Sequence, residues 1–172
     1  MIRSSLLALL VFAFGSNAKS ADSPALKTVD HVDIQRYTGR WYEIARLPNR
    51  FEKKCDRDVT AEYSLDGKTL RVSNACRKAD GALTRAAGKA KIVDSATNAK
   101  LKVTFFWPFY GDYWILGLDP QYRWAVVGEP SRKFLWILSR TPKLTESEMQ
   151  KAELVVRDSG YERSGLIFTR HD

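Results

Sequence analysis

Histidine and cysteine are scarce in this chain of 172 residues: His31 and His171 stand near opposite ends, and the two cysteines are Cys55 and Cys76. A metal centre built from clustered His, Cys and carboxylate ligands is therefore not expected, and no cofactor is indicated. Gly-x-Ser-x-Gly, Walker A and dinucleotide-binding patterns are also lacking, which removes common routes to nucleophilic, phosphoryl-transfer and hydride chemistry. Long apolar runs are absent. The one greasy segment, Leu6 to Phe14, falls well short of the roughly 20 residues that a membrane-spanning helix needs. Flanked by Met1-Ile2-Arg3 and Ser16-Asn17-Ala18, it has the order of a secretory signal peptide, best cleaved after Ala18.

This reading divides the chain into a signal peptide (1–18), an N-terminal extension (19–36) and a single folded domain (37–172), a length that suits one core. It predicts an exported protein, periplasmic or secreted and soluble, since no cysteine follows the apolar run to accept an acyl anchor. Export also predicts that Cys55 pairs with Cys76, because an even cysteine count in an oxidising compartment signals a disulfide. A pairing of this kind leaves no free thiolate to act as a nucleophile. The net charge of +8 would suggest nucleic acid for a cytosolic chain, and export argues against it. The Lys and Arg residues read either as solvated outer faces of strands or as a bias toward anionic lipid surfaces.

From Gly39 onward, short runs rich in Val, Ile, Thr and aromatics are broken every 8–12 residues or so by turn residues, the pattern of an all-β sandwich or barrel. The runs are Trp41 to Arg46, Val59 to Leu65, Leu70 to Ala75, Ala86 to Val93, Ala99 to Phe106, Tyr113 to Asp119, Trp124 to Gly128 and Leu135 to Ser139. Eight strands can close a barrel wide enough for one small ligand. Asp66-Gly67 supplies a tight hairpin, so neighbouring strands are expected to be antiparallel. Near the end, Thr145-Glu146-Ser147-Glu148 has the spacing of a capping box and predicts a helix over 146–159, followed by a short strand over 166–169.

Alternation indicates which side chains face inward together. It sets Leu101, Val103 and Phe105 apart from Lys102 and Thr104. In the next run Tyr113, Ile115 and Gly117 share one face and Trp114, Leu116 and Leu118 the other, both apolar, so the pattern does not choose between them. Phe134, Trp136 and Leu138 likewise oppose Leu135, Ile137 and Ser139. Aromatics make up 12% of the chain, with five Trp; such rings line ligand pockets, or fill a core and pack under a helix. Trp107-Pro108-Phe109-Tyr110 reads as a dimer contact or as a plain loop.

The segment Gly39-Arg40-Trp41-Tyr42-Glu43-Ile44-Ala45-Arg46 resembles the first-strand signature of the lipocalins. Leu118 to Gly128 and Leu135 to Pro142 resemble the second and third conserved regions of that family. The resemblance covers about residues 35–160 and is nearest to the bacterial lipocalins and their apolipoprotein D-like relatives. It implies an eight-stranded up-and-down antiparallel β-barrel, open at one end, with a C-terminal α-helix packed on its flank. Gly39 opens the signature. Trp41 and Arg140 match the pair that closes the barrel bottom, where a guanidinium lies on an indole. Trp136 resembles a pocket-lining position, and Phe51 falls in the loop that lies across the open end.

The expected function is binding and carriage or scavenging of a small hydrophobic ligand, a fatty acid or lysophospholipid by resemblance, and not catalysis. Trp136, Tyr113, Phe105, Val103, Leu138, Phe134 and Phe51 are the candidate ligand contacts. Arg46, Arg50, Lys53 and Lys54 are candidates to meet an anionic headgroup at the open end. The alternatives are a side-chain-filled barrel serving protein interaction or structure, and an enzyme of lipocalin type. Expected partners are the lipid-like ligand, with peripheral membrane contact and a homodimer left open, and no nucleic acid.

Overall fold

The computed structural model describes residues 25–67 and 69–172; the expected signal peptide lies outside them. A short helix α1 (Ile34–Tyr37) leads into eight antiparallel strands: β1 (Gly39–Arg46), β2 (Arg57–Asp66), β3 (Thr69–Arg77), β4 (Leu83–Ile92), β5 (Lys100–Phe106), β6 (Phe109–Leu118), β7 (Trp124–Gly128) and β8 (Leu135–Ser139). Each pairs with its neighbour, and β1 pairs with both β2 and β8, which closes the sheet into a barrel. Helix α2 (Glu146–Asp158) follows, and then β9 (Ile167–Phe168), which adds to β1.

The observed strands are mostly longer than the sequence runs, above all β6, which starts at Phe109 where the sequence suggested Tyr113. Phe106 pairs directly with Phe109, so β5 and β6 form one long hairpin that turns at Trp107-Pro108. Alternation had no means of extending β6 through Tyr110, Gly111 and Asp112, whose composition resembles a turn.

Two apolar layers result. The inner one includes Trp41, Tyr63, Leu70, Val72, Leu101, Ile115, Val127 and Leu138. The outer one sets Ile44, Leu116, Trp124, Val126, Leu135 and Ile137 beneath Ala152 and Val156 of α2. Helix α2 begins with the expected capping box: the Thr145 side chain accepts from the Glu148 amide while Glu148 reaches back to Thr145. Its buried stripe is narrow, and Leu154, one of its apolar positions, remains exposed.

β-Bulges settle the faces that alternation left open. In β6 the register shifts between Ile115 and Gly117, so Leu116 and Gly117 both face outward while Ile115 and Leu118 both contact the inner layer. Neither single face of the sequence pattern is therefore right throughout. Gly117 lies beneath Val155, and a Cβ there would come within 2.8 Å of its methyl groups. The absence of a side chain is what lets α2 sit this close.

The barrel is stoppered at one end by the residues that precede it. Val32 is fully buried, and its amide donates to the Thr97 carbonyl at 2.8 Å; the Val29 amide donates to Ile115 at 3.0 Å. Residues 26–36, set apart by sequence as an extension, thus pack onto the barrel. The other seam is closed by the C-terminal segment. β1 pairs with β2 only over Gly39 to Tyr42, and beyond that the tail fits between them: Thr169 donates to Ile44 at 2.9 Å and Asp58 donates to Arg170 at 2.9 Å.

Candidate functional site

Trp41, fully buried at the closed end, donates from Nε1 to the Tyr37 carbonyl at 2.9 Å. The Arg140 guanidinium lies 3.8 Å from its ring centroid. That guanidinium donates to three carbonyls from different segments: Arg36 at 2.6 Å, Arg40 at 2.9 Å and Tyr122 at 3.2 Å. A single planar cation thus ties α1, β1 and the β6–β7 loop together. Gly39 (φ +91°) sits beside it, and a Cβ there would stand 3.3 Å from Arg140 Nη1. The β6–β7 loop is shaped by Asp119, which is buried and accepts from the amides of Gln121 and Arg123 and from the Arg123 guanidinium. These bonds to Arg123 hold its carboxyl below the usual aspartate range.

Further up, three tyrosines meet inside the barrel. The hydroxyls of Tyr37 and Tyr113 are 2.8 Å apart, and Tyr63 donates to Tyr113 at 2.9 Å. Burial pushes all three phenols up, Tyr63 to about 12. Tyr113 is only partly buried against the inner layer. Val103 and Trp136 are likewise only partly buried against the inner layer, and Leu138 is buried within it. The inward positions of β2 and β4 carry the small residues Ala61, Ala86 and Gly88.

The open end carries the remaining candidates. The Phe105 ring lies against the bare backbone of Gly88, where a Cβ would approach it to 2.8 Å. Phe51 and Phe134 have ring centroids 5.5 Å apart, and Phe134 and Trp136 6.1 Å, which makes a row of rings along the mouth. Phe51 stays about half exposed and covers Phe134 at the rim. Glu129 fixes the β7–β8 loop beneath Phe134, its carboxylate accepting from Ser131, Lys133 and Phe134 amides.

One of the four cations assigned to the rim is placed differently. Arg46 is buried, because a register shift in β1 between Glu43 and Ala45 brings both Glu43 and Arg46 to the inner face, opposite Leu138 and Trp136. Arg46 Nε donates to Glu52 at 2.9 Å and lies 3.6 Å from Glu43. Glu52 also accepts from Trp136 Nε1 at 2.9 Å, which pins the β1–β2 loop across the mouth. Arg50, Lys53 and Lys54 remain exposed as expected. Sequence reasoning missed Glu43, Glu52, Tyr37, Tyr63 and Asn74. Its one usable signal was a carboxylate at position 43, between Trp41 and Ala45 in a strand with a buried face.

Burial, with Glu52 next, pushes the Glu43 carboxyl well above the usual range, against the opposing pull of Thr169 and Arg46. The folded protein therefore holds a proton that the unfolded chain releases above about pH 4.3. The stability this group contributes is complete below that pH and is lost as pH rises toward the elevated folded value. Glu43→Gln should accordingly be more stable than the parent at neutral pH, with the difference vanishing near pH 4. Urea unfolding across that interval checks this, and parallel curves for the two proteins would count against it.

The profile of the lipocalin-like domain matches residues 32–171, nearly the whole described chain. The chain belongs to the lipocalin family. Outer membrane lipoprotein Blc of Escherichia coli strain K12 is 41% identical over 169 residues, covering 96% of this chain and 95% of that protein. Temperature-induced lipocalin-1 of Arabidopsis thaliana is 39% identical, with 82% and 80% covered. Apolipoprotein D of Mus musculus is 31% identical, with 98% and 93% covered. Insecticyanin from the tobacco hornworm Manduca sexta superimposes with a TM-score of 0.72 over 87% of this chain and 86% of that one; at 24% identity it attests the fold alone.

Lipocalins generally bind small hydrophobic ligands, and this lipocalin has the inner apolar wall that such binding needs. The relatives correct one expectation. Proteins 36–41% identical over 85–96% of the chain are named outer membrane lipoproteins, so the expectation of a soluble exported protein with no lipoprotein cysteine does not stand. Two shallow grooves, of about 340 and 400 Å³, lie on the outer face of β2–β4, among Arg40, Glu62, Arg85, Ser64, Arg71 and Lys89. The first is lined mostly by charged and polar side chains, and the second also reaches Val72 and Gly88.

Proposed function

We propose that this lipocalin carries or scavenges a single-chain amphipathic lipid, a fatty acid or a lysophospholipid, and that it does so without catalysis. The observation that carries this reading is the pairing of an apolar inner wall with unsatisfied polar atoms. Arg46 Nη1 and Asn74 Oδ1 are buried without a partner, and Asn74 falls on the inward face of β3 with Leu70 and Val72. Buried polar atoms are normally satisfied by protein, water or ligand. An acyl chain running along Val103, Tyr113 and Leu138, with its polar end toward the mouth, meets both needs. Relatives 36–41% identical are named outer membrane lipoproteins, which supports a membrane lipid as the ligand.

Mass spectrometry of lipids extracted from the purified protein, followed by titration of tryptophan fluorescence with the lipid found, tests the reading. Trp136→Ala removes one wall of the pocket and should weaken affinity about 10- to 100-fold, as expected for the loss of one buried aromatic contact. A barrel that yields no lipid and responds to none would instead be the interaction module of the alternative reading.

A further inference from the structure

The apolar side chains that stand furthest into water are clustered at one place. Phe106, Trp107 and Phe109 are 75%, 78% and 71% exposed, more than any other large apolar residue described. Phe105 and Tyr110 beside them are also exposed. A single exposed ring is ordinary, but a run of five aromatics on a protruding hairpin tip is not. The Phe106 and Phe109 rings stack with centroids 6.2 Å apart, so the tip is one wedge, and none of its three most exposed residues joins either core layer.

Cations surround this wedge. Lys91 Nζ lies 4.6 Å from the Tyr110 ring, and Lys89 stands on the outer face beside Thr104, its register partner in β5. At the same end of the barrel, Arg50, Lys53, Lys54 and Lys133 are exposed, and among the described residues none of them is in an ion pair. Most carboxylates of that end are already engaged: Glu52 with Arg46 and Trp136, Glu129 with loop amides, Asp56 with Arg57 and Arg170, Asp58 with Arg77 and Asp112 with Lys102, while Asp80 accepts the Ala82 amide.

We propose that the open end docks on a lipid bilayer, with the Phe106–Tyr110 tip at headgroup depth and the surrounding cations against anionic lipid. Aromatic rings with one polar edge favour the membrane interface, and exposed lysines are drawn to anionic headgroups. A second copy of this chain is the poorer partner, because it would bring a like-charged end face to face. Docking in this orientation points the mouth at the bilayer, so an acyl chain passes between membrane and barrel without crossing water. That consequence rests on the carrier reading; the docking itself does not.

Cosedimentation of the full chain with vesicles of phosphatidylcholine, with and without phosphatidylglycerol, is the test. Wild-type protein should bind the phosphatidylglycerol vesicles, and acyl-brominated lipid should quench Trp107, a signal lost in Trp107→Phe. The triple variant Phe106→Ser, Trp107→Ser, Phe109→Ser should lose about 10-fold or more in partitioning. Lys53→Glu with Lys54→Glu and Lys89→Glu should weaken binding to phosphatidylglycerol vesicles selectively. Wild-type protein that ignores both vesicles, or a triple variant that binds as well as wild type, overturns the proposal. So does a wild-type dimer that the triple variant abolishes without any vesicle binding, which would make the tip an interface between copies. Interior lipid binding, measured in parallel, should survive in the triple tip variant. Its absence from the wild type beside intact docking would overturn the carrier reading alone.

Discussion

Replacing Trp41 by alanine should cost about 3–5 kcal/mol of stability, the range for deleting a fully buried aromatic. Three contacts are lost together with the burial. The indole is fully buried and donates to Tyr37, and its ring carries the Arg140 guanidinium at 3.8 Å and stands 5.0 Å from the Tyr37 ring. With the ring gone, Arg140 keeps its three carbonyl bonds but loses the surface it lies on, and the stopper at the closed end loosens. At about 2–4 °C per kcal/mol for a domain of this size, the midpoint of thermal unfolding should fall by roughly 6–20 °C. Arg140→Lys should also destabilise, by less, since a lysine cannot reach all three carbonyls at once. A Trp41→Ala protein within about 1 kcal/mol of the parent would mean that the barrel closes by other means.

Removing the disulfide should have the next largest effect. Cys55 and Cys76 are bonded, with Cα atoms 5.6 Å apart and a separation of 21 in sequence. Closing a loop of that length restricts the unfolded chain by about 3 kcal/mol in the chain-entropy account. The bond also anchors the β1–β2 loop to the end of β3, and that loop carries Glu52 to Arg46 and Trp136. The variant Cys55→Ser, Cys76→Ser should therefore unfold about 3 kcal/mol more easily in urea and release bound lipid faster, since its loop over the mouth is less restrained. Lost stability with unchanged lipid release would separate the two roles and leave only the entropic one.

Much of the architecture was legible in local pattern. Trp124–Gly128 and Leu135–Ser139 stand as read, because each is a short apolar run with no phase change inside it. The helix start was legible because a capping box is made by residues three apart. The disulfide was legible because export and an even count leave one pairing. Faces failed where strands bulge: in β1 and β6 one extra residue reverses the alternation, and no residue type announces the shift. Alternation alone did not show that Arg46 turns to the inner face, where it is a buried partner of Glu52.

The candidate site divides in the same way. Tyr113, Trp136, Val103 and Leu138 belong to the inner wall because they repeat at period two on strands whose register follows from hairpins, and the chain order alone suffices for that. The hydroxyl cluster of Tyr37, Tyr63 and Tyr113 and the tail wedged beside β1 join distant residues, 126 positions apart for Thr169 and Glu43, and the Glu43–Arg46–Glu52 group forms only where β1 bulges. Period and capping act over a few residues and are written in the sequence itself. Which polar groups meet, and which are left without a partner, depends on where the closed sheet brings distant strands, and that only the tertiary structure decides.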